Sequence, residues 1–362
     1  DDGLFFLGEF APPSEAICPR GLLRRVIERG RAMGFEAYAG FEYEFFVFRE
    51  TPESVREKHY RGLTPMAPGW FGYSVIRNTT GSEFYRLLLD QCRAMDVPIE
   101  GLHEETGPGV MEAAIAVDKA LSAADKAALF KTFAKTIAQQ NGFMATFMAK
   151  CSKDWPGQSG HIHLSLKSAS GDSVFHDAGK PHSMSDAMRW FVGGQQKLMP
   201  ELLAMVAPTI NSYRRLIPGY WAPTDSTWGV ENRTTALRVI PGSPKSQRVE
   251  YRVAAADANP YVILSAALAS GLWGIEHKVE PEPVVTGNAY DRKYPARLAL
   301  PRTLWDSAQR LKASKMAREW FSDAFVEHFA ATRQFDQHIL IFDFAYPQNI
   351  RAGAGVHGAN YP

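Results

Sequence analysis

The chain has 362 residues, 45% hydrophobic and 22% charged, so it is long enough to bury one large core or two moderate ones. This composition is that of a globular protein and excludes disordered and fibrous classes. The 40 basic and 39 acidic residues give a formal net charge of +1, which creates no long-range field for a polyanion and excludes nucleic acid as a partner.

The apolar and aromatic periodicity predicts an α+β fold. A proline in the first turn and amphipathic spacing predict a helix from Pro19 to Met33, and aromatic and small residues predict a strand from Phe35 to Phe48. Further helices are predicted at Ser82–Met95, Ser122–Gln140, Ser183–Val206 and Tyr261–His277. Further strands are predicted at Met111–Val117, Phe143–Ala149, His161–Leu166, Thr235–Ile240 and Arg248–Val253. Because the strands fall in pairs rather than alternating with helices, we expect a mostly antiparallel sheet with flanking helices.

Segments rich in Gly, Pro, Ser and Asn are predicted as surface loops. They are Thr51–Tyr73, Cys151–Gly160, Pro218–Thr227 and Glu280–Leu300. Near the C-terminus, Ile339–Phe344 has the composition of one more strand, and the glycine-rich run Arg351–Gly358 has that of a flexible loop.

Cysteine usage and hydropathy indicate the compartment. The chain has three cysteines, Cys18, Cys92 and Cys151, which are widely spaced and form no CxxC motif. Such sparse cysteines are typical of a protein in a reducing compartment. No apolar run approaches the roughly 20 residues needed to span a bilayer, and the start of the chain lacks the basic and apolar regions of a signal peptide. We therefore predict a cytoplasmic protein without a membrane partner.

Two carboxylates lie two residues apart on the first predicted strand. Their spacing places Glu42 and Glu44 on one face of the sheet, next to aromatic residues that keep that face out of water. Two like charges in such a place need a counter-ion. The simpler alternative is that both glutamates line the solvent face of an edge strand.

Two later segments supply more potential metal ligands. His103–Glu112 carries glutamates around a Gly-Pro-Gly turn, and Gly157–Leu166 places His161 and His163 on one strand face. Glutamates grouped with an imidazole are typical ligands of Mg²⁺ or Mn²⁺, since hard cations prefer carboxylate oxygen. The alternative for each histidine is an ordinary core or surface residue.

Basic residues are densest between positions 211 and 252, where they alternate with apolar strand residues. They are Arg214, Arg215, Arg233, Arg238, Lys245, Arg248 and Arg252. Guanidinium groups bind carboxylates and phosphates in a bidentate way, so this segment indicates a site for such anions. The alternative is a set of salt bridges between strands.

Taken in order, these segments resemble the catalytic domain of glutamine synthetase. Besides the glutamate and histidine pairs, the resemblance is carried by Asn211–Gly219, Asn232–Thr234 and Glu250–Tyr261. It extends from about Cys18 to Phe329, nearly the whole chain. It implies the curved sheet of that family and a site that holds two or three Mg²⁺ or Mn²⁺ ions between ATP and glutamate.

The resemblance implies a role for each candidate residue. The metal ion nearer ATP would be bound by Glu42, His161 and Glu250. The ion nearer glutamate would be bound by Glu44, Glu105 and Glu112. ATP would contact His163, Ser165, Arg238, Lys245 and Arg248. Glutamate and the transferring phosphoryl group would be bound by the catalytic arginines Arg215, Arg233 and Arg252, with Gly157 and Trp221 also lining the substrate site.

Departures from the family pattern bear on the substrate. Where ammonia-using members carry a glutamate that helps to bind ammonium, this chain has Trp221. An indole offers an apolar wall and a single donor, which suits an organic amine better than ammonium; the alternative is simple packing of a loop. Val110 and Pro156 also replace polar residues of the family, which leaves open an altered acid substrate.

The ends of the chain also depart from the family. The small β-grasp domain of the family has no counterpart ahead of Asp1, so we interpret residues 1–335 as the catalytic domain and 336–362 as a tail of unassigned role. The resemblance implies a homo-oligomer, a dodecamer of two hexameric rings. Tyr290 falls close to a tyrosine that some bacterial members adenylylate.

We therefore predict an ATP-dependent ligase that makes a γ-glutamylamide from glutamate and an aromatic, alkyl or polyamine, for amine catabolism or detoxification. The first alternative is glutamine synthetase itself, using ammonia. The second is a non-catalytic relative that binds glutamate or nucleotide. The six candidate metal ligands argue against this second alternative, because a binding protein has no evident need for so many like charges in one place.

Overall fold

The computed structural model describes residues 5–70 and 72–345, with side chains described as far as residue 335. The helices are α1 (Pro19–Ala32), α2 (Pro52–Glu57), α3 (Val75–Thr80), α4 (Ser82–Ala94), α5 (Ala120–Gln140), α6 (Asp186–Val206), α7 (Ile210–Arg215), α8 (Pro260–Glu276), α9 (Leu304–Ala313), α10 (Lys315–Phe321) and α11 (Asp323–Ala345). The strands are β1 (Phe35–Phe48), β2 (Ile99–Glu104), β3 (Val110–Ile115), β4 (Asp118–Lys119), β5 (Met144–Thr146), β6 (Gly160–Ser168), β7 (Trp228–Val230), β8 (Leu237–Ile240) and β9 (Arg248–Tyr251).

These strands form one sheet in the described part of the chain, in the order β2-β3-β1-β6-β9-β8-β7, with β4 and β5 also paired to β1. Every pair is antiparallel except β7 with β8, which is parallel. The predicted α+β class with a mostly antiparallel sheet is therefore confirmed. Because β1 is hydrogen-bonded to β3 on one side and β6 on the other, it is a central strand.

Alternation along β1 separates the face that packs on the main core from the opposite face, which carries Glu42 and Glu44 and, farther along, Phe46 and Phe48 of a smaller apolar cluster. On β1 the odd-numbered residues from Ala37 to Val47 are buried in the core, and Phe45 packs on Phe130 of α5 and on Phe147, with ring centroids 5.9 and 5.2 Å apart. Successive strand residues point to opposite faces. The even-numbered positions Glu42 and Glu44 therefore face away from this core.

Helix α8 shows how sequence signals fix the helical layer. Pro260 occupies its first turn, and the Asn259 side chain accepts hydrogen bonds from the backbone N–H groups of Tyr261 and Val262 at 3.0 and 3.3 Å. Its residues are apolar and almost all buried, as expected of a helix surrounded by protein. It packs against α1, α5 and α6, and these helices hold the apolar face of the sheet in place.

Most predicted elements correspond to observed ones, but two predictions are wrong. The predicted helices correspond to α1, α4, α5, α6 and α8. The segment 51–73, predicted as loop, contains helix α2, which is capped by Thr51. Ile339–Phe344, predicted as a strand, lies in helix α11. The loop predicted at Arg351–Gly358 lies outside the described residues.

The three cysteines are free thiols, and each is at least half-buried. The Cys18 sulfur caps α1 by accepting a hydrogen bond from the Gly21 N–H at 3.4 Å. Cys92 is buried in α4, and Cys151 is half-buried. Among the described helices, none combines the length and the apolar character that a bilayer crossing requires.

Candidate active site

Five adjacent strands of the sheet place charged and polar side chains on the face opposite the helical core. The residues concerned are Glu112 on β3, Glu42 and Glu44 on β1, His161, His163 and Ser165 on β6, Arg248 and Glu250 on β9, and Arg238 on β8. The alternative that Glu42 and Glu44 line a solvent-exposed edge strand is wrong, because β1 is central. Their burial beside other ionisable groups instead makes this face a candidate active site.

The first cluster joins Glu42, His161, His163 and Glu250. The His163 Nε2 atom lies 3.1 Å from Glu42 Oε2, and the His161 Nδ1 atom lies 3.4 Å from an oxygen of Glu42 and of Glu250. Burial acts to raise the pKa of Glu42, but hydrogen bonds from both histidines overcome it and hold that pKa well below its usual range. Ligand atoms of Glu42, His163 and Glu250 lie within 4.8 Å of one another, close enough for one cation to bind all three.

Two arginines border this first cluster. Arg252 donates a hydrogen bond to Glu250 Oε1, and Arg238 Nη1 donates to Glu250 Oε2 at 3.1 Å. Burial opposes ionisation of Glu250, yet the charges of His161 and Arg252 lower its pKa to about 2. Arg238 lies opposite Glu250 in the β8–β9 register and also pairs with Glu231. Arg238 on β8 and Glu250 on β9 therefore form a salt bridge between strands, as the alternative interpretation of the basic segment predicts, and this salt bridge lies at the edge of the first cluster.

The second cluster joins His103, Glu105 and Glu112. The His103 Nε2 atom lies 3.4 Å from Glu112 Oε1 and 3.6 Å from Glu105 Oε1, and the ligand atoms of these residues lie within 4.8 Å of one another. Glu44 lies opposite Glu112 in the β1–β3 register, and its Oε2 accepts a hydrogen bond from the Ser159 N–H at 2.6 Å. Carboxylates with one imidazole are a donor set that fits Mg²⁺ or Mn²⁺.

His103 was missed by the sequence reasoning, although a signal was present. It precedes Glu105 by two residues, the same spacing that places Glu42 and Glu44 on one face. Its ring also stacks on Tyr73, with centroids 5.0 Å apart, and the Tyr73 hydroxyl donates a hydrogen bond to Glu105. Tyr73 reaches the cluster from a segment remote in sequence, which no local pattern reveals.

The Gly-Pro-Gly turn sets the spacing between Glu105 and Glu112. Gly109 has φ +68°, and a Cβ atom there would lie 2.6 Å from the Val47 carbonyl oxygen. Only glycine meets both requirements. The turn brings β3 back beside β1, which places Glu112 next to Glu105 and Glu44.

The remaining candidates for nucleotide binding occupy different positions. Ser165 lies on β6 on the face that carries His163, and Arg248 Nε donates to His163 Nδ1 at 3.2 Å. Lys245 is exposed in the turn before β9, where its backbone N–H donates to the Ser243 hydroxyl at 3.3 Å. Arg233 is also exposed, and its positive charge acts on Tyr73 beside the second cluster.

Arg215 is buried and bonded to the backbone rather than open to solvent. Its Nη1 and Nη2 atoms donate to the carbonyl oxygens of Val253 and Arg252 at 2.9 and 3.1 Å, and burial lowers its pKa to about 10. A Cβ atom on Gly157 would lie 2.5 Å from Arg215 Cγ. Gly157 and Arg215 therefore fit together, and Arg215 holds the segment that carries Arg252.

Trp221 lies in the wall of a cleft of about 810 Å³. Its side chain is 63% exposed and its φ is +57°, so it is not packed into the core. The cleft is also lined by Val230, Glu231 and Tyr290, and none of the candidate metal ligands is among the described lining residues. The alternative that Trp221 merely packs a loop does not describe this exposed indole. Glu231 in the cleft wall pairs with Arg238, which borders the first cluster.

A sheet face that collects two potential divalent-metal sites and several guanidinium groups is suited to chemistry on carboxylates and phosphates, as in ATP-dependent ligases. Residues 16–340 match the family described as glutamine synthetase, catalytic domain. The chain therefore belongs to the glutamine synthetase family.

Similar proteins include enzymes named as glutamine synthetases and enzymes named for organic amines. The chain is 45% identical over 336 residues to Type-1 glutamine synthetase 2 of Dictyostelium discoideum, covering 91% of this chain and 64% of that protein. It is 36% identical to glutamate–isopropylamine ligase of Pseudomonas sp (88% and 70% covered) and 40% identical to γ-glutamylethanolamide synthetase GlnA4 of Streptomyces coelicolor (86% and 66% covered). The chain thus spans about two thirds of the length of these relatives.

A solved structure supports the same fold. The structure of a GmaS/ADP complex superimposes with a TM-score of 0.81 at 27% identity, covering 91% of this chain and 75% of that one. The described sheet and its flanking helices are therefore those of the glutamine synthetase catalytic domain.

Proposed function

We propose that this chain catalyses the ATP-dependent joining of the γ-carboxylate of glutamate to an organic amine, which releases ADP and phosphate. The observation that carries the proposal is the position of Glu42 and Glu44. They are two residues apart on β1, where Glu42 belongs to the first cluster and Glu44 lies opposite Glu112 of the second cluster. Two adjacent cation sites can hold two anionic substrates side by side despite their repulsion.

The two clusters supply separate ligand sets for Mg²⁺ or Mn²⁺. We assign Glu42, His161, His163 and Glu250 to the ion nearer ATP. We assign His103, Glu44, Glu105 and Glu112 to the ion nearer glutamate. The bound ions would neutralise phosphate and carboxylate charge and so favour phosphoryl transfer.

The chain's own arginines serve the anionic groups. A carboxylate is a poor electrophile, so the γ-carboxylate oxygen first attacks the γ-phosphorus of ATP, forming an acyl phosphate and expelling ADP. The amine then forms a bond to the acyl carbon, phosphate leaves, and the amine loses a proton. We assign Arg233, Arg252 and Arg238 to the carboxylate and phosphoryl oxygens, since guanidinium binds both. Arg215 positions Arg252, and Ser165, Lys245 and Arg248 are assigned to the nucleotide.

The amine is proposed to be organic because of Trp221. An exposed indole in the wall of a cleft offers a flat apolar surface, and the carboxylate that lines the same cleft, Glu231, is already paired with Arg238. Two relatives are named for organic amines, isopropylamine and ethanolamine. We therefore favour a small alkyl or aromatic amine over a polyamine, whose second charge would need further carboxylates.

The second candidate is glutamine synthetase, which uses ammonia. The specific observation that favours it is the 45% identity to a relative named as a glutamine synthetase. Both candidates share the two clusters and the arginines, so only the second substrate separates them.

ADP release by the purified chain separates the candidates. The reaction would contain ATP, Mg²⁺ and glutamate, with ammonium, ethylamine, isopropylamine, ethanolamine, putrescine or aniline as the second substrate. Turnover with an organic amine well above that with ammonium supports the proposal. Ammonium as the best substrate would replace it with glutamine synthetase, and no turnover with any of them would contradict both.

We also propose that the chain assembles as a ring-shaped homo-oligomer, the dodecamer of two hexameric rings expected from the family. Exposed apolar side chains support a protein partner, since residues such as Phe6, Val75 and Ile76 are among the most exposed hydrophobic ones. Mass photometry would test this, and a monomer at micromolar concentration would contradict it.

A further inference from the structure

Tyr290 carries a buried hydroxyl without a hydrogen-bond partner among the described residues. It belongs to the 3-10 turn Ala289–Asp291, and its side chain lines both the large cleft and a smaller cavity of about 60 Å³. Buried hydroxyl groups in native proteins are nearly always paired. A buried, unpaired hydroxyl on a residue that lines a cleft is therefore a candidate contact for a substrate.

The turn that carries Tyr290 is anchored at several points. The Ala289 N–H donates to the Thr234 hydroxyl at 2.8 Å, and the Tyr294 hydroxyl donates to the Ala289 carbonyl oxygen at 3.1 Å. The Asn232 side chain donates to the carbonyl oxygen of Gly287 at 2.9 Å. These contacts fix the position of the Tyr290 ring relative to strands β7 and β8, as a specific contact requires.

The turn that carries Tyr290 is tied to the segment next to Arg252. The Arg252 backbone N–H donates to the Ala236 carbonyl oxygen at 2.9 Å, two residues from Thr234, whose hydroxyl accepts the hydrogen bond from Ala289. Burial raises the pKa of Tyr290, and the charges of Arg252 and Arg215 act in the opposite direction. The Arg252 Nε–H is also buried without a partner. Two donors without acceptors beside two cations disfavour a protonated amine and favour an anionic oxygen.

We propose that the Tyr290 hydroxyl donates a hydrogen bond to a carboxylate of the amino-acid substrate, beside Arg252. This inference rests on the proposed function, because it takes glutamate as that substrate. It makes Tyr290 a specificity-determining residue for the acid, and it also gives a reason why this hydroxyl is enclosed rather than presented to a modifying enzyme.

The test compares Tyr290→Phe with Tyr294→Phe in the full chain. Both changes remove one hydroxyl from the same segment, but only Tyr290 has an unpaired one. Glutamate binding would be measured by calorimetry with Mg²⁺ and ADP present, and ATP binding separately. Tyr290→Phe should weaken glutamate binding about tenfold, since a hydrogen bond to a charged group is lost, and should leave ATP binding unchanged.

The outcomes separate this inference from the proposed function. Unchanged glutamate affinity in Tyr290→Phe would overturn the inference while leaving the ligase activity intact. An equal loss of glutamate affinity in Tyr294→Phe would overturn it too, because the loss would then come from a displaced turn and not from the Tyr290 hydroxyl. If the unaltered chain binds glutamate but turns over no amine, the proposed function fails, and a weaker affinity in Tyr290→Phe alone would still support the inference.

Discussion

Glu44 on β1 lies directly opposite Glu112 on β3 in the antiparallel register. Like charges in this position repel each other. Burial and the charges of Glu42, Glu44 and Glu105 raise the pKa of Glu112 to about 10. The sheet therefore gathers more negative charge at this point than His103 can offset, which is the electrostatic condition that a divalent cation relieves.

Replacing Glu112 by Gln should stabilise the metal-free protein and abolish activity. The free energy of unfolding in EDTA at pH 8 should rise by about 1 kcal/mol or more, because Glu112, with its pKa raised to about 10, must take up a proton on folding at this pH and Gln need not. Mn²⁺ should then stabilise the variant less than the unaltered protein, and ADP release should fall by orders of magnitude. Urea unfolding with and without Mn²⁺ measures this.

Glu100→Gln is the matched control, since Glu100 is exposed on the adjacent strand β2. It should change neither the stability nor the response to Mn²⁺. A Glu112→Gln variant that Mn²⁺ stabilises as much as the unaltered chain would contradict a metal role for Glu112.

The sequence predicts which face of the sheet carries Glu42, Glu44, His161 and His163, because period-2 alternation is a local property. Burial of the odd-numbered aromatic residues of β1 forces Glu42 and Glu44 to the other face, and this holds whatever the rest of the fold. The same reasoning does not reach Tyr73 or Tyr290. Their contacts depend on how loops return to the sheet, which tertiary structure decides.

The failed strand prediction has a related cause. Ile339–Phe344 is a short apolar run, and periodicity alone cannot tell such a run from a turn of helix. Helix α11 begins at Asp323 and continues through it, so tertiary context overrides local propensity there. Arg215 could not be placed from the sequence for a similar reason. Its hydrogen-bond partners, the carbonyl oxygens of Val253 and Arg252, are remote in sequence, so no local pattern reveals them.

Replacing His103 by Asn should weaken Mn²⁺ binding by about ten- to hundredfold, the usual cost of losing a ligand or its direct support. The imidazole lies 3.4 Å from Glu112 and 3.6 Å from Glu105, so its loss removes one donor of the second cluster. Isothermal titration with Mn²⁺ measures the affinity. His59→Asn, at an exposed position with φ +50°, which Asn tolerates, is the control. Equal Mn²⁺ affinity in both variants would remove His103 from the site.

Replacing Gly157 by Ala should displace Arg215. The new Cβ atom would lie 2.5 Å from Arg215 Cγ and 3.0 Å from the Ala149 carbonyl oxygen. Overpacking of this kind costs about 1–3 kcal/mol of stability, and the KM for glutamate should rise because Arg215 holds the segment of Arg252. Thermal unfolding and steady-state kinetics test both parts. Gly8→Ala, where nothing lies within 4 Å of the added atom, should change neither quantity.

Lys131 should give the stability a distinct pH dependence. Its Nζ donates to the Ala258 carbonyl oxygen at 2.7 Å and lies over the rings of Tyr43 and Phe147, and burial lowers its pKa from 10.5 to about 8. The charge of Asp257 opposes this lowering, and that of Lys135 adds to it. The unfolded chain therefore binds more protons between pH 8 and pH 10.5.

Stability should consequently rise with pH across that window, by about 3 kcal/mol in total from this group. Below pH 8 Lys131 is charged in the folded protein, so the free energy of unfolding is lowered by the full cost of desolvating its ammonium group. Lys131→Met should remove the rise, and Lys135→Met, at an exposed position on the same helix, should retain it. Urea unfolding at several pH values compares the three proteins, and an identical pH profile for Lys131→Met would show that Lys131 is not the source.

Replacing Trp221 by Glu should shift the preference from organic amines towards ammonium. The exposed indole forms part of the cleft wall, and its removal takes away apolar contact worth about a tenfold factor in kcat/KM for an amine with a hydrocarbon group. The new carboxylate would instead favour a small cation. Trp305→Glu makes the same chemical change on helix α9 and should leave the ratio of the two kcat/KM values unchanged. If Trp221→Glu also leaves that ratio unchanged, the cleft does not select the amine, and the selection must come from residues beside the two clusters.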